Sequence, residues 1–323
     1  MRCLLVGSGH IGRRHARALR TLAPGTEVVA LRSGRGGALP DGVADREVHA
    51  FADALALRPD CAIVADPAPC HPASAAPLLA KGIPTLVEKP LAADAAGADA
   101  LRAAAAAPDR VLIGYLLRHD EALTRFRAAL ASGEVGGLVS LHLEAGGALA
   151  GWRPGMAPER QISARPETGG GVLFELSHEI DAARWLLGEI VESHVIADRR
   201  GTPRLAVEDA AILLLRCQGG PVSVQIDMAR ARSTRRYRAV GTRGTLVWTA
   251  EDGTLRLEEP GGIRTLHDRT PEPDERLRRQ MAHFLAVVRG EAASLCTLDD
   301  GIAALKAVLD LRRKAGLDAG VAA

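Results

Sequence analysis

The chain has 323 residues, with 41 Lys and Arg against 39 Asp and Glu, so its formal net charge is only +2. A charge this small gives no broad electrostatic field for nucleic acid or an anionic membrane, and we expect neither as a partner. No apolar run approaches the roughly 20 residues of a membrane helix, so a cytoplasmic protein is expected. The length predicts two domains, because one hydrophobic core usually stops growing by about 300 residues.

The five cysteines are scattered along the chain and include no CxxC pair. They predict reduced thiols rather than a disulfide framework. No cluster of His, Cys, Asp and Glu has metal-ligand spacing, so no metal site is predicted.

The first feature in chain order is a glycine-rich turn between a strand and a helix. Residues 2–6 have the apolar pattern of a buried strand, residues 7–12 carry three glycines spaced GxGxxG, and an apolar helical stripe follows. In this context the glycines allow a tight turn, backbone contact with a pyrophosphate and close packing of the helix, whose N-terminal N–H groups bind the anion. A turn with a purely structural role is the alternative. The residues predicted to contact NAD or NADP are Gly7, Gly9, His10, Ile11 and Gly12.

The end of the second strand bears on the choice of cofactor. This strand, residues 27–31, is followed by Arg32, Ser33, Gly34 and Arg35, without the carboxylate that usually binds the ribose 2′-OH of NAD. Guanidinium groups at this point suit a 2′-phosphate, so Arg32, Ser33 and Arg35 favour NADP over NAD. The alternative is that they are solvated loop residues.

A candidate catalytic lysine follows a later strand. Strand patterns at residues 60–65 and 85–87 alternate with helical patterns, which predicts a parallel sheet with ligands beyond the carboxyl ends of its strands. Lys89 follows the second of these strands. A cation there can bind a substrate hydroxyl or carbonyl and share in proton transfer. An ordinary surface lysine at the end of a strand is the alternative.

Three motifs together resemble the family of glucose-fructose oxidoreductase, inositol dehydrogenase and MocA (Gfo/Idh/MocA). They are the glycine turn followed by His15, the spacing from Pro67 to His71, and Glu88-Lys89-Pro90. The resemblance covers nearly the whole chain and implies that Lys89 lies beside the nicotinamide and the substrate, before a cis bond to Pro90. The resemblance also implies cofactor contacts for Asp66, His71 and Glu88. Asp66 stands where the family more often has Thr or Asn, which accept similar hydrogen bonds.

The resemblance places the domain boundary near residue 118. A strand pattern over residues 110–117 leads to Arg118, similar to the Tyr-x-x-Arg that closes the cofactor domain of relatives, and Arg118 is assigned to substrate binding. The predicted architecture is an α/β Rossmann domain over residues 1–118 and an α+β domain over residues 119–323. The last helix, about residues 300–314, is expected to pack against the Rossmann domain.

The second domain is predicted to contain a large, mainly antiparallel open sheet with one polar face, after a helix over residues 121–131. The strand candidates are residues 138–145, 190–197, 210–217, 222–228, 237–241 and 245–249. In the family such a sheet commonly forms subunit contacts, so the resemblance implies a homodimer or homotetramer.

A helix is predicted over residues 169–187, and it carries a candidate acid/base. At about 100° per residue an apolar stripe faces the core, while Glu175, His178 and Glu179 share the opposite face, directed away from the core. Taken alone, this is more often a solvated face. The resemblance implies that His178 exchanges a proton with the substrate hydroxyl, since an imidazole titrates near neutral pH. Glu175 replaces the family Asp and is expected to orient or charge-stabilise His178.

Residues 151–154, together with the sequence around His178, resemble a branch of the family found in sugar and nonulosonic-acid pathways. This resemblance implies a carbohydrate-like substrate. Trp152 can stack on a sugar face, and Arg153 can bind a carboxylate or phosphate. A structural role for both is the alternative.

The function expected from these features is an NAD(P)-dependent oxidoreductase. Hydride would pass between nicotinamide and a secondary alcohol or ketone of a sugar, sugar derivative or cyclitol. Two other functions stay open: an NAD-dependent glycosidase on the same scaffold, and a non-catalytic NADP-binding regulator.

Overall fold

The computed structural model of the protein describes residues 1–34, 37–153, 155–201 and 204–317. By its internal contacts the chain divides into two compact units. The first contains Met1–His119 and Glu272–Leu305, and the second contains Asp120–Pro271 and the chain from Lys306 onward.

The first unit is built on a parallel sheet. Its strands are β1 (Arg2–Val6), β2 (Glu27–Leu31), β3 (Arg46–Val48), β4 (Cys61–Val64), β5 (Thr85–Val87) and β6 (Val111–Ile113). They lie in the order β3-β2-β1-β4-β5-β6, and every neighbouring pair is parallel. The helices between them are α1 (His10–Leu22), α2 (Phe51–Ala56), α3 (His71–Leu79) and α4 (Ala95–Ala104). The residues of β4, β5 and β6 are all buried, as expected of strands covered on both faces.

The strand order places a topological switch point between β1 and β4. From β1 the chain winds outward to β2 and β3, and from β4 it winds the other way to β5 and β6. Ligands of open α/β sheets bind beyond the carboxyl ends of the strands at such a point. The glycine turn follows β1 and Asp66 follows β4, so the predicted cofactor residues lie where the topology expects a ligand.

The second unit is an α+β unit with a large mixed sheet. Its elements are α5 (Glu121–Ala131), β7 (Leu138–Gly146), α6 (Val172–Glu175), α7 (Ser177–Leu187), β8 (Ile190–Asp198), β9 (Ala210–Cys217), β10 (Gly220–Asp227), β11 (Thr234–Gly241), β12 (Thr245–Thr249), β13 (Thr254–Glu259) and β14 (Gly262–Asp268). The order is β14-β13-β12-β11-β7-β10-β9-β8, and β7 with β10 is its parallel pair. The predicted fold class is thereby confirmed, although β13 and β14 were missed.

One face of this sheet packs on helices and the other is open. Helices α5 and α7 contact the sheet. Along β9, buried and exposed residues alternate, so that Ile212 and Leu214 point away from the core and are more than half exposed. The open face is therefore apolar in part, whereas the sequence predicted a polar face.

The expectation of one continuous helix over residues 169–187 is wrong. Helix α6 ends at Glu175, Leu176 has φ −101° and ψ 29°, and α7 begins at Ser177. The expectation that Glu175, His178 and Glu179 are directed away from the core is also wrong for two of the three, because His178 and Glu179 are buried, while Glu175 is half-buried. The sheet supplies charged and hydroxyl partners for this face, and helical periodicity alone cannot show such partners.

Two further helices complete the chain. They are α8 (Glu275–Val288), which the sequence analysis left unassigned, and α9 (Leu298–Lys314). Asp274, just before α8, forms an ion pair with Arg14 of α1 at 2.6 Å. The part of α9 up to Leu305 belongs to the first unit, where Gly301 lies against the side chain of Ile113, and the rest belongs to the second.

The buried His119 should make stability depend on pH. Burial, with the positive charges of His283 and Arg118, lowers the pKa of His119 from 6.5 to about 3. Near pH 6.5 His119 is therefore protonated in the unfolded chain but stays neutral in the folded protein. The free energy of unfolding falls as the pH is lowered. From this residue we expect a loss of about 2 kcal/mol between pH 7 and pH 5.

Urea denaturation of the wild type and His119→Asn at pH 7 and pH 5 measures this effect. The variant should lose less stability on acidification than the wild type. The exposed His49 provides a control, since His49→Asn should leave the pH dependence unchanged. An unchanged dependence in His119→Asn would contradict the prediction.

Candidate active site

The glycine turn has the geometry that a dinucleotide requires. Gly7 has φ +87°, and a Cβ there would lie 2.3 Å from the backbone N of Asp66. A Cβ on Gly12 would lie 2.0 Å from the carbonyl oxygen of Gly7, whereas one on Gly9 would meet nothing within 4 Å. The N-cap residue of α1 is Gly9, so the cap position carries no side chain that could bond to the first N–H groups of the helix. The turn thus leaves open space over the N–H groups of α1, and it fits a pyrophosphate.

Two alanine substitutions in this turn should separate folding from binding. Gly9 has φ −68° and open space around it, so Gly9→Ala should fold with stability within about 0.5 kcal/mol of the wild type. Its methyl group would occupy the path of the pyrophosphate, and we expect dinucleotide affinity to fall at least about tenfold. Gly12→Ala forces a methyl group against backbone and should lower the free energy of unfolding by about 1–3 kcal/mol.

Nucleotide fluorescence titration and denaturant unfolding measure the two effects. Gly25, which also has open space around it, supplies the control Gly25→Ala, for which neither quantity should change. Undiminished nucleotide binding by Gly9→Ala would contradict the assignment of this turn.

Glu88 is an ionised carboxylate held at the end of β5. Its Oε1 lies 2.7 Å from Nε2 of the buried His15, and its Oε2 accepts the backbone N–H of Lys89 at 3.0 Å. Burial alone would raise the pKa of Glu88, but the hydrogen bond and charge of His15, with the charge and N–H of Lys89, hold this pKa below its usual value. His15 thereby links α1 to the segment that carries Lys89.

His71 fixes the same segment from the other side. Its Nδ1 lies 3.0 Å from the carbonyl oxygen of Pro90, and its Nε2 lies 2.8 Å from that of Asp66. The bond between Lys89 and Pro90 is cis, as the resemblance implied. Asp66 accepts a hydrogen bond from Ser74 at 2.6 Å, and burial raises its pKa although Ser74 and His71 act against the rise. The structure thus brings Asp66, His71, Glu88 and Lys89 together at the ends of β4 and β5.

The residues at the end of β2 that were predicted to favour NADP over NAD differ from one another in their surroundings. Arg32 donates to Glu47 Oε2 at 2.8 Å and to the carbonyl oxygen of Gly37, and only 11% of its side chain is exposed. Ser33 is exposed. Arg35 lies outside the described residues. His10 is exposed at the start of α1, and Ile11 is half-buried.

In the second unit the predicted catalytic residues lie on either side of the helix break. Glu175 is the last residue of α6 and is half-buried, and His178 is the second residue of α7 and is buried. Three 3-10 turns precede them between residues 158 and 168. The change of direction at Leu176 means that helical spacing does not describe how Glu175 and His178 are arranged.

Sequence reasoning missed the ionic partner of α7. Glu179 is 0% exposed, and its Oε1 accepts hydrogen bonds from Arg235 Nε at 2.7 Å and the Tyr237 hydroxyl at 3.2 Å. Burial and the charge of Glu179 raise the pKa of Tyr237 well above its usual value. Arg235 and Tyr237 are two residues apart on β11, so they lie on one face of the strand. The predicted strand began only at Tyr237, and nothing in the sequence paired either residue with α7.

Sequence reasoning also missed a buried carboxylate, Glu208, which packs against the backbone at the start of α6. Glu208 accepts the N–H of Leu173 at 3.3 Å and lies 3.0 Å from Arg312 of α9. Gly171 has φ +109°, and a Cβ there would lie 2.5 Å from Glu208 Oε1. Burial raises the pKa of Glu208, while the charge of Arg312 acts in the opposite direction. The backbone leading to Glu175 is therefore packed around a buried carboxylate.

The predicted substrate residues fall in two places. Arg118 belongs to the first unit, is buried, and pairs with Asp300 at 3.1 Å while donating to the carbonyl oxygen of Leu295. Trp152 and Arg153 belong to the second unit, directly after a 3-10 turn at Leu149–Gly151, and both are half-buried.

The parallel sheet with a glycine turn at its switch point, followed by an α+β unit, defines a two-domain protein with a dinucleotide-binding domain. Residues 1–115 match the family model described as oxidoreductase family, NAD-binding Rossmann fold, and residues 123–247 match the GFO/IDH/MocA C-terminal domain. The chain belongs to the GFO/IDH/MocA family of oxidoreductases. The predicted family and the predicted NAD(P)-dependent oxidoreductase class are confirmed.

Curated relatives and solved structures agree with this assignment. Inositol 2-dehydrogenase 1 of Saccharopolyspora erythraea is 30% identical over 304 residues, which is 89% of this chain and 86% of that enzyme. Inositol 2-dehydrogenase of Streptomyces avermitilis is 30% identical over 236 residues, and this match spans 69% of the chain and 64% of the enzyme. The structure of levoglucosan dehydrogenase in complex with NADH superposes with a TM-score of 0.83 at 17% identity, covering 98% and 97% of the two chains, and shows the same fold.

Proposed function

We propose that the protein is a dehydrogenase that transfers hydride between a nicotinamide dinucleotide and a secondary alcohol or ketone of a cyclitol or sugar. The observation that carries the proposal is the segment Glu88-Lys89-Pro90, which His15 and His71 anchor at the switch-point edge of the parallel sheet. The substrate class follows the relatives, which are inositol 2-dehydrogenases.

The proposed chemistry uses one cation and one acid/base. The ammonium of Lys89 binds and polarises the reacting oxygen, and the imidazole of His178 takes the hydroxyl proton during oxidation and returns it during reduction. Glu175 orients or charge-stabilises His178. The bound dinucleotide supplies C4 of its nicotinamide as the acceptor or donor of the hydride. The glycine turn, Asp66 and Glu88 would hold the dinucleotide.

NADP(H) is proposed as the preferred cofactor. No carboxylate directly follows β2, where NAD enzymes bind the ribose 2′-OH. Glu47, on the neighbouring strand β3, is already paired with Arg32. Ser33, an exposed residue, lies at the same strand end. These features suit a ribose that carries a phosphate.

For the substrate we propose contacts from Trp152 and Arg153. Their half-burial leaves part of each side chain accessible, and a carbohydrate presents both a face for stacking and hydroxyl or acidic groups for a guanidinium. Arg118 stays a proposed substrate residue, and its guanidinium also pairs with Asp300.

A homodimer or homotetramer is proposed, with the open face of the second sheet as the contact. Ile196 and Ile212 are cross-strand neighbours on this face and are 74% and 53% exposed. Such an apolar surface is typical of a protein contact. Light scattering should show an oligomer for the wild type and dissociation for Ile212→Glu.

Helices within the described ranges are all too short or too polar to cross a bilayer. The five cysteines, all described, form no disulfide, and a cytoplasmic location is proposed.

Fluorescence titration of the purified protein with NADPH and NADH tests the proposal first, because it measures dinucleotide binding. Absorbance at 340 nm with myo-inositol and a panel of sugars then measures turnover. Binding and a change in absorbance with one of these substrates is the expected result. Failure of both dinucleotides to bind would overturn the proposal. Cleavage of a glycoside without net release of reduced cofactor would identify the glycosidase, and binding without any turnover would favour the regulator.

A further inference from the structure

A cavity of about 250 Å³ lies beside the glycine turn in the first unit. Helix α1 lines it with His10, Arg13 and Arg17, and the connection between β2 and β3 lines it with residues 40–43. Residues three and four apart share a helix face, so the spacing of these three side chains directs them to one wall. Because a water takes about 30 Å³ in the liquid, a phosphate group and several waters fit this cavity.

The loop wall of the cavity is already fixed in place. Arg20, the next residue on the same face of α1, donates to the carbonyl oxygen of Gly42 at 2.6 Å and lies 3.0 Å from Asp45. Asp45 in turn accepts the backbone N–H of Val28 in β2 at 2.7 Å. A preformed wall lowers the cost of ordering the loop when a ligand binds.

The cations of the cavity are available to a ligand. The side chains of Arg13 and Arg17 form no ion pair or hydrogen bond with the rest of the described chain. Asp41 is the one carboxylate of the described lining, so two guanidinium groups face a single negative charge. Like charges four residues apart on a helix repel each other, and an anion bound near both relieves that repulsion. A phosphomonoester is close to a dianion at neutral pH and suits such a pair.

The position of the cavity relates it to the cofactor. Its loop wall belongs to the connection that leaves the carboxyl end of β2, where a Rossmann domain places the 2′ position of the adenosine ribose. Of the two arginines predicted to bind a 2′-phosphate, Arg32 is held by Glu47 and by the carbonyl oxygen of Gly37, and Arg35 lies outside the described residues. Among the described residues that line the cavity, the available positive charge is on α1.

We infer that Arg13 and Arg17 bind the 2′-phosphate of NADP(H) in this cavity and set the preference for NADP(H) over NAD(H). This inference rests on the proposed function, since it needs a dinucleotide on the glycine turn. The recognised group is a phosphate dianion, which can come from the 2′-phosphate of the dinucleotide or from free phosphate.

Dissociation constants for NADPH and NADH test the inference, measured by nucleotide fluorescence on the wild type, Arg13→Gln and Arg17→Gln. Each variant loses a charge-assisted hydrogen bond to phosphate, so NADPH should bind about tenfold more weakly while NADH binding changes less than about twofold. Arg46 is exposed on β3 outside the cavity, and Arg46→Gln, which removes the same charge, should change neither constant. Competition by 2′-AMP should weaken in the cavity variants, and competition by 5′-AMP should not.

An NADPH to NADH affinity ratio that is the same in the wild type and both cavity variants would overturn the inference and leave the proposed function standing. A wild type that binds neither dinucleotide would overturn the proposed function itself. Inorganic phosphate that raises the melting temperature of the wild type but not of Arg13→Gln, with an unchanged affinity ratio, would assign the cavity to free phosphate and reject the dinucleotide.

Discussion

Loss of turnover without loss of dinucleotide binding is the result expected for His178→Ala and Lys89→Ala. Proton transfer by a positioned side chain contributes about 10²- to 10⁴-fold to a rate, and we expect kcat of His178→Ala to fall by this factor. Lys89→Ala removes the cation proposed to polarise the reacting oxygen and should also raise KM. The glycine turn of the first unit is unchanged in both variants, so the dissociation constant for the dinucleotide should stay within about threefold of the wild type.

Matched controls exist for both substitutions. His194 is 71% exposed and pairs with the exposed Glu192, and Lys81 is an exposed lysine of the first unit. His194→Ala and Lys81→Ala should keep wild-type kinetics. Because His178 is buried, His178→Asn serves as a second variant that keeps a polar side chain in place. Full activity in both His178 variants would remove this residue from the proposed chemistry.

A large loss of stability is expected when Arg235 is replaced. Arg235→Met leaves the carboxylate of Glu179, which is 0% exposed, with the Tyr237 hydroxyl but without its cation. Breaking a buried ion pair from one side typically costs about 3–5 kcal/mol, because an uncompensated charge stays in the interior. Chemical denaturation should show a loss of this order in the free energy of unfolding.

The surface pair of Arg102 and Asp299 in the first unit is the matched control, since both side chains are more than half exposed. Arg102→Met should change stability by less than about 1 kcal/mol. The double variant Arg235→Met with Glu179→Gln should recover part of the loss, because it also removes the buried carboxylate that Arg235 compensates. A loss in Arg235→Met no larger than in Arg102→Met would show that Glu179 does not depend on Arg235.

The agreement between sequence and structure is greatest where local chemistry decides the conformation. The Gly7 turn is dictated by the clash that a Cβ would make with the backbone of Asp66, and a glycine pattern between a strand and a helix reveals this directly. The alternation along β9 likewise follows from a two-residue period. The sequence by itself therefore determined the parallel sheet, the dinucleotide turn and most of the second sheet.

The tertiary structure decided which polar side chains are buried and what they contact. Helical spacing directed Glu179 away from the core, but β11 brings Arg235 and Tyr237 to it from more than fifty residues away in the chain. Arg32 likewise has a partner, Glu47, on an adjacent strand. Arg13 and Arg17 form a candidate anion site only because a loop lines a cavity with them beside α1. The physical reason is that periodicity records the direction of a side chain within its own element, while burial and pairing depend on elements distant in sequence.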